Sequence, residues 1–373
     1  GAPPTKPFAN DDTTVGLWHF DQAKEKGLIL DASRFHNSAQ LLEVAGKPTG
    51  RTTGHWGEEA VGFRWTEDDS KDGRWNQTDV GSFLAATFHT AGGLVNKGLA
   101  VRLGKQQQAT IAYDTKTMTA RAGWVGGFLK FDQARYGIIV HPKPVGVMKF
   151  GYHHPGWAGS KVRYEGMHVH GKRVVLSYKV DGTPIEETPS WHANAGSTFV
   201  RTMLVQPGKK PLKLHIAYLK GKTVEKDDRV QLAAVVNGNQ FSSVAAVGAK
   251  VVHDDKSPAT IIIPPRQKPA VVRILISETP RAQWPRYKRA LLTKRAADMT
   301  SAVVTRLTKP GPVNWPRVLD TSIYRRPTKG PFVVETIGLP FRNPYRALFF
   351  VTGHDFLGNG DAVVSTVHGD VWL

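Results

Sequence analysis

The chain has 373 residues, a formal net charge of +19 with a pI of about 10.0, and no cysteine. The length is enough for two or three hydrophobic cores, and the lack of cysteine excludes disulfides, cysteine-ligated metals and covalently attached c-type haem within this sequence. No stretch approaches the roughly 20 apolar residues of a membrane-spanning helix, so we expect no transmembrane segment.

The positive charge has two interpretations that the sequence leaves open. A field of this sign attracts polyanions such as nucleic acid, anionic lipid or acidic polysaccharide, and it equally keeps copies of a protein apart by self-repulsion. The chain contains neither zinc-finger spacing nor the aromatic signature of an RNA-binding sheet. The sequence therefore predicts no specific nucleic-acid partner.

The N-terminal region divides into a flexible lead at 1–12 and a small β piece at 13–72. Segments such as "TTVGLWHFD" and "GHWGEEAVGFRW" predict short strands separated by turns. The pattern is similar to the opening of laminin-G-like, lectin-type jelly rolls, so we expect a jelly-roll remnant here. The residues that carry this likeness are Trp18, Phe20, Asp21, Asp31, Ser33, Asn37, Gly57, Ala60, Val61 and Phe63.

Residues 73–280 read as a succession of short strands. Runs such as "GSFLAATFHT", "QATIAYD" and "KRVVLSYKVDG" recur about every 8–12 residues and are punctuated by Gly or Asp turns. No alternation of strands with helices and no repeat period is visible. The spacing predicts a mostly β protein built on a large antiparallel β-sandwich.

A basic helix is expected near 285–300, inside a helix-and-linker region at 281–310. Pro285 opens a run of good helix formers, and Leu291, Leu292 and Met299 are the expected buried stripe. The exposed face either is the solvated side of a helix packed on the sheet or binds a polyanion. Its basic residues are Arg286, Lys288, Arg289, Lys294 and Arg295.

Residues 311–373 contain a new set of strands after the proline-rich "TKPGPVNWPRV", which ends the helix. The closing stretch "DAVVSTVHGDVWL" at 361–373 predicts a hairpin, because its side chains alternate around a turn at His368–Asp370. A lone two-stranded hairpin is marginal in water. We therefore expect its missing strands to come from a continuation of the polypeptide or from a second chain produced by processing.

Several separated motifs resemble, in order, a family of large secreted proteins of planctomycete- and verrucomicrobia-type bacteria. They include "DGRWNQTDVGSFLAATF", "GKRVVLSYKVDGTPIEETP", "RLTKPGPVNWPRVLDT" and "LPFRNPYRALFFVTGHDFLGNGDAVVSTVHGDVW", and the likeness covers roughly residues 73–373. In that family a β-rich front module of unknown function precedes a β-propeller and commonly a c-type cytochrome domain. The resemblance implies a secreted or periplasmic protein, a propeller-like unit beginning at 311–373, and haem only on a partner or downstream domain.

Four histidines form the first candidate metal site. His153 and His154 precede His168 and His170, with Met167 beside the second pair. A His-x-His motif on a strand places both imidazoles on one face, as in many copper and zinc sites of β proteins. Loop or surface histidines are the alternative, since one sequence does not show that the two segments meet.

An oxygen-rich turn is the second candidate. Asp355, Asn359 and Asp361 surround two glycines in a pattern that resembles a calcium loop, although the bidentate acid that ends such loops is missing. The alternative is a turn that uses Asn-Gly to reach positive φ. Trp157 and Trp191 lie in segments whose composition predicts loops, and we single them out as candidates for a ligand-binding surface.

The sequence contains none of the common enzyme motifs that we searched for. There is no nucleophile elbow, zincin motif, P-loop or dinucleotide fingerprint. Glu186 and Glu187 are adjacent on a predicted strand and so point to opposite faces, which rules them out as a pair flanking one glycosidic bond. We expect a non-catalytic binding and scaffolding module of a cytochrome-c-linked redox protein. The alternatives are a carbohydrate-active enzyme or sugar dehydrogenase whose site is shared with a following domain, and an acidic-polysaccharide-binding module.

Overall fold

The structure is a computed structural model. It describes residues 14, 28–29, 31–34, 36, 39–40 and 73–373; within the last range it leaves out residues 134–136, 138–139, 153–155, 194–195, 218, 220–222, 228–230, 254–256, 294–299, 326–334, 341–342 and 368. The chain divides into two compact units, Gly1–Glu59 and Ala60–Leu373.

The smaller unit contains a short antiparallel ribbon of β1 (Leu28–Ile29) and β2 (Ala39–Gln40). The turn between them is closed by Asp31, whose carboxylate accepts hydrogen bonds from the backbone N–H of Ser33 at 2.8 Å and from its hydroxyl at 2.6 Å. Asp31 and Ser33 belong to the lectin-like pattern. Its other members lie outside the described residues.

The larger unit begins with a five-stranded antiparallel sheet. A 3₁₀ helix at Arg74–Gln77 precedes the strands β3 (Phe83–Thr90), β4 (Gly93–Leu103), β5 (Ala109–Asp114), β6 (Thr119–Val125), β7 (Leu129–Lys130), β8 (Lys143–Pro144) and β9 (Val147–Gly151). The sheet has the order β3-β4-β5-β6-β9, and β7 pairs with β8 in a separate ribbon. Phe128, directly before that ribbon, and Leu129, its first residue, pack against the small core around Phe88 and Trp124.

An eight-stranded and a three-stranded antiparallel sheet follow. Their strands are β10 (Val162–His170), β11 (Arg173–Val180), β12 (Thr183–His192), β13 (Ser197–Val205), β14 (Leu212–Ala217), β15 (Thr223–Asp227), β16 (Leu232–Asn237), β17 (Gln240–Val247), β18 (Lys250–Val252), β19 (Ala259–Ile263) and β20 (Ala270–Pro280). The larger sheet has the order β10-β11-β12-β13-β20-β17-β16-β15, and the smaller one β14-β19-β18.

One hydrophobic core joins the three sheets. It contains fully buried side chains from the five-stranded sheet (Ile111), the eight-stranded sheet (Phe199) and the three-stranded sheet (Ile261). Because side chains alternate across a strand, each sheet offers one apolar face to this core. The mostly β, sandwich-like architecture predicted from the strand spacing is confirmed.

Two helices cover the outer face of the eight-stranded sheet. In α1 (Trp284–Thr293), Trp284 stacks on Phe241 of β17 with ring centroids 4.2 Å apart, and Tyr287 is buried beside it. In α2 (Ser301–Leu307), Val304 and Leu307 are buried, and Thr300 caps the first turn by accepting a hydrogen bond from the N–H of Val303. This short helix contacts β10, β11 and β12.

The helices differ in detail from the prediction. The expected helix at 285–300 begins at Trp284 and is described to Thr293; a second helix follows at Ser301, and 294–299 lie outside the described residues. Of the expected stripe, Leu291 packs in the cluster with Trp284 and Tyr287. The predicted buried stripe does not include Trp284 and Tyr287, because it begins only at Leu291. Among the residues with a described structure, no helix has the length and hydropathy of a membrane span.

The C-terminal region forms two small antiparallel sheets. Strands β21 (Ile323–Arg325) and β22 (Glu335–Ile337) make a ribbon, while β23 (Val351–Phe356), β24 (Ala362–Thr366) and β25 (Val371–Trp372) make a three-stranded sheet. The hairpin expected at 361–373 is β24–β25, and β23 supplies a third strand. Trp372 lies against Phe349 with ring centroids 4.9 Å apart, in a small cluster with Tyr345 and Ala347.

This C-terminal region is attached to the segment that leads into β3. The N–H of Asp79 donates to the carbonyl oxygen of Tyr345 at 2.9 Å, and Thr78 donates to that of Arg346 at 2.8 Å. Trp315 donates its indole N–H to the carbonyl oxygen of Asp79 at 3.2 Å. A Cβ on Gly81 would meet that indole at 2.8 Å, so glycine is needed where the Trp315 ring lies.

A substitution at Gly98 of β4 can test how closely β3 and β4 pack. We expect G98A to lower the free energy of unfolding by about 1–3 kcal/mol, because the added Cβ would lie 2.6 Å from the carbonyl oxygen of Ala86 and would also overlap the buried Phe88 ring. Urea denaturation measures the change. The matched control is G358A, where a Cβ meets nothing within 4 Å; a loss in the control equal to that of G98A would contradict the packing argument.

Candidate functional site

The predicted histidine site is described only in part. His168 and His170 lie two residues apart on β10, so their side chains share one face of the edge strand. His170 Nδ1 lies 3.0 Å from the carbonyl oxygen of Lys309. His153 and His154 lie outside the described residues. Among the described residues, no group of three or more His, Cys, Asp or Glu side chains is close enough together to hold a metal ion.

The oxygen-rich turn at Asp355, Asn359 and Asp361 is internally hydrogen-bonded. Asn359 Nδ2 donates to the Asp361 carboxylate at 2.7 Å, and Asn359 Oδ1 accepts from the backbone N–H of Asp361 at 3.1 Å. Asp355 accepts from the N–H of Phe356 at 2.8 Å. These bonds shape the turn between β23 and β24 and account for its asparagine.

The two singled-out tryptophans occupy different environments. Trp157 is only 2% exposed and belongs to the main core, where it forms a β-bridge with Leu214. Trp191 is partly buried against the same core, and its indole N–H donates to the Ser197 hydroxyl at 2.8 Å. Only Trp191 therefore keeps part of its ring accessible at the surface.

The basic helix turns several of its cations outward. Arg286 and Arg289 of α1 are exposed and Lys288 is half-buried, while Trp284 and Tyr287 face the sheet. Lys294 and Arg295 lie outside the described residues. The described part of α1 is therefore a packed helix with a positive outer face, which fits either of the interpretations that the sequence left open.

A buried polar network lies at the centre of the sandwich. Arg201 of β13 and Glu187 of β12 form a bidentate ion pair, with Nε to Oε1 at 2.7 Å and Nη2 to Oε2 at 2.9 Å. Tyr113 of β5 donates to Oε1 and Tyr178 of β11 to Oε2, each at 2.7 Å. All four side chains are at most 1% exposed. The Tyr113 bond links the five-stranded sheet to the eight-stranded sheet.

The protonation states of this network follow from burial. Burial, reinforced by the Glu187 charge, raises the pKa of Tyr113 and of Tyr178 well above the ordinary value, so both phenols keep the proton that they donate. Burial by itself lowers the pKa of Arg201, but the Glu187 charge and hydrogen bonds, together with the two phenols, hold it above the ordinary value. With two donors on each oxygen, Glu187 is fully engaged and has a structural role.

A small polar cleft lies at one end of the sandwich. Lys149 and Glu278 face each other across it with Nζ and Oε2 3.9 Å apart, and Phe150 and Tyr152 stack at its wall with centroids 5.2 Å apart. Burial raises the pKa of Glu278, and burial together with Glu278 raises that of Tyr152. The cavity of about 30 Å³ has room for about one or two waters and is far smaller than the roughly 300 Å³ of a typical ligand pocket.

Two basic loops, one after β13 and one after β19, are hydrogen-bonded to each other. Residues 206–211 connect β13 to β14 and carry Lys209 and Lys210; residues 264–269 connect β19 to β20 and carry Arg266 and Lys268. The backbones of Gly208 and Arg266 exchange two hydrogen bonds of 3.0 Å, which fixes the loops side by side. Neither loop contains an acidic residue. We call residues 206–211 and 264–269 the basic loop pair.

The surface around the basic loop pair adds further cations. Lys213 of β14 and Lys250 of β18 are exposed and both pair in register with Ile262 of β19, so they flank the strand that leads into the second loop. Burial lowers the pKa of Arg266, while arginine is in general protonated in proteins. Sequence reading did not group these residues, because two hairpin connections far apart in the chain supply them.

Comparison with known proteins finds a family match for one part of the chain. Residues 111–187 match DUF6797, a domain of unknown function, and this stretch contains Tyr113, Tyr178 and Glu187 of the buried network. No curated protein matches the chain. Among solved structures, the crystal structure of YidC from Thermotoga maritima matches at 12% identity and a TM-score of 0.26, over 56% of this chain and 58% of that chain.

The buried network can be tested by removing one charge. We expect E187Q to lower the free energy of unfolding by about 3–5 kcal/mol, because the Arg201 guanidinium is then buried without a counter-charge. The neighbour Glu186 is the matched control: it is half-buried, bonded to Ser177 at 2.6 Å, and E186Q should cost about 1 kcal/mol. Urea denaturation of the whole chain measures both variants.

A third variant separates charge from packing. The combined substitution Y113F/Y178F/E187L/R201M removes both charges and both phenol donors and keeps apolar volume, so it should recover a large part of the stability lost in E187Q. If E187Q is no less stable than E186Q, the ion pair is not a stability determinant of the sandwich.

Proposed function

We propose that this chain is a non-catalytic binding and scaffolding module of a secreted, c-type-cytochrome-linked redox protein, and that its C-terminal sheets dock a further β-rich domain. The link to a cytochrome rests on the ordered motifs that resemble the secreted family, and residues 111–187 of that same stretch match a domain of unknown function. The docking role rests on the exposed apolar surface of the C-terminal region.

That apolar surface is the observation that carries the proposal. Ile323 and Ile337 are directly paired across the β21–β22 ribbon and are 63% and 57% exposed. Phe356 of β23 is 64% exposed and Val371 of β25 is 70% exposed. Contiguous exposed apolar residues, such as the paired Ile323 and Ile337, mark interaction surfaces, whereas scattered ones are ordinary.

The open edges indicate what kind of partner fits. In the sheet β23-β24-β25, the outer strands β23 and β25 each pair with β24 and with no other described strand, so the outer edge of each carries backbone donors and acceptors that no described strand pairs. An edge of this kind pairs with another strand unless it is covered. A β-rich domain, such as the propeller implied by the resemblance, provides both strands for the edge and apolar side chains for the faces. It can come from the same polypeptide or from a processed second chain.

A second candidate function is the binding of an acidic polysaccharide. The basic loop pair supports it, because exposed Lys209, Lys210 and Lys268 are held on a rigid frame without a carboxylate in either loop. Fixed cations lose little conformational freedom when they bind a polyanion. A polysaccharide carries its charges at intervals along a chain, which suits a row of separate lysines and needs no enclosed pocket.

The docking proposal predicts contacts from defined positions. A photo-crosslinking phenylalanine analogue at position 356 or 371, introduced into the native producer, should crosslink to a β-rich domain in material that shows a c-type haem spectrum. The matched control is position 147, where Val147 of β9 is 60% exposed outside the C-terminal sheets. Crosslinking no stronger than at position 147 would contradict docking, while crosslinked material without haem would contradict only the cytochrome link.

The polysaccharide proposal predicts a local effect of charge. K209E/K210E/K268E should abolish retention on a sulfated polysaccharide at physiological salt, whereas R286E/K288E/R289E on α1, with the same change in net charge, should retain most of it. Retention of the wild type should fall steeply with salt, since screening shortens to roughly 8 Å at physiological ionic strength. Equal losses in the two triple variants would show a response to net charge alone and would reject the basic loop pair as a site.

A further inference from the structure

Two exposed histidines meet on the surface of the five-stranded sheet. His89 of β3 and His141, which precedes β8, have ring centroids 6.0 Å apart and ring planes inclined at 44°. Both residues are exposed, so the pair lies where dissolved ions have access. They are separate from the histidines at 153, 154, 168 and 170 that the sequence singled out.

The fold holds the two backbones in place. Phe88, directly before His89, is fully buried in the small core on this sheet. Pro142, directly after His141, is buried as well, and β8 contacts β3. Because each histidine is adjacent to a buried anchor, the two rings stay close together without any direct bond between them.

The separation of the rings suits a shared ion. A divalent transition metal binds an imidazole nitrogen at about 2.0–2.1 Å, which places each ring centroid roughly 3 Å from the ion. Two rings on one ion therefore have centroids about 4.5–6.5 Å apart, depending on the angle between the two bonds. The 6.0 Å observed here falls within that range, so the separation of the two rings is compatible with one shared ion.

We propose that His89 and His141 together bind one divalent transition-metal ion, with water molecules completing its coordination. Neutral imidazole ligands suit zinc, nickel and copper, and the general order of affinities makes Cu²⁺ the tightest of these. With two protein ligands and open positions, the site resembles an exchangeable surface site more than a closed structural one. The proposal is independent of the docking and polysaccharide roles.

The experiment is a titration of the 373-residue chain with Cu²⁺ and, separately, with Zn²⁺ in a buffer that does not chelate metals. Calorimetry measures the affinity for each ion. H89Q and H141Q should each weaken the binding at least about tenfold, since each removes one of the two protein ligands. Glutamine keeps the size and polarity of an exposed side chain, and thermal unfolding verifies that both variants are folded. For Cu²⁺, nitrogen hyperfine structure in the electron paramagnetic resonance spectrum should change in both variants.

Control variants separate this site from the other histidines. H170Q and H153Q/H154Q should retain the ion bound by His89 and His141 with unchanged affinity. The proposal is overturned if H89Q or H141Q binds both ions as tightly as the wild type, or if the only binding observed is lost in H153Q/H154Q. Lack of binding of either ion by the wild type overturns it equally.

Discussion

The bidentate ion pair between Glu187 and Arg201 is the constraint around which the sandwich is organised. Two opposite charges in a dry interior are tolerated only when their geometry is good and their remaining polar atoms are satisfied. Here Tyr113 and Tyr178 complete the carboxylate, and the Tyr113 bond comes from the opposite sheet. The Tyr113 bond therefore favours one arrangement of the two sheets, since a sliding of the five-stranded sheet would remove one of the two donors to Glu187 Oε1.

Because the Glu187–Arg201 pair and its partners occupy the sandwich interior, we expect ligands to bind on the outside of the sandwich. Its centre is filled by the Glu187 network and by side chains such as Ile111 and Phe199, which are fully buried. What remains for recognition lies on the outside: loops, sheet edges and exposed side chains. The basic loop pair, the C-terminal sheets and the His89–His141 pair are three such features, and each derives its geometry from the rigid sheets beneath it.

The sequence predicted the fold better than the sites. Strand spacing and the proline that starts the helix are local signals, and they led to a mostly β sandwich with a helix beginning near Pro285. The contacts that matter for function are non-local. Glu187 was identified as facing away from Glu186, but nothing in the sequence shows that Arg201 and two tyrosines surround it. His89 and His141 likewise become neighbours only in three dimensions, and the burial of Trp157, a candidate for a ligand-binding surface, depends on contacts with distant strands.

The attachment of the C-terminal region to the segment before β3 has a consequence for the order of folding. Thr78 bonds to Arg346 and Asp79 to Trp315, pairs that are 268 and 236 residues apart in the chain. Contacts of such long range form late, because the loop that they close is long. During synthesis the sandwich strands emerge from the ribosome before the partners of Thr78 and Asp79, which lie more than 200 residues further along the chain. We therefore expect the C-terminal sheets to dock onto strands of the sandwich that were made before them.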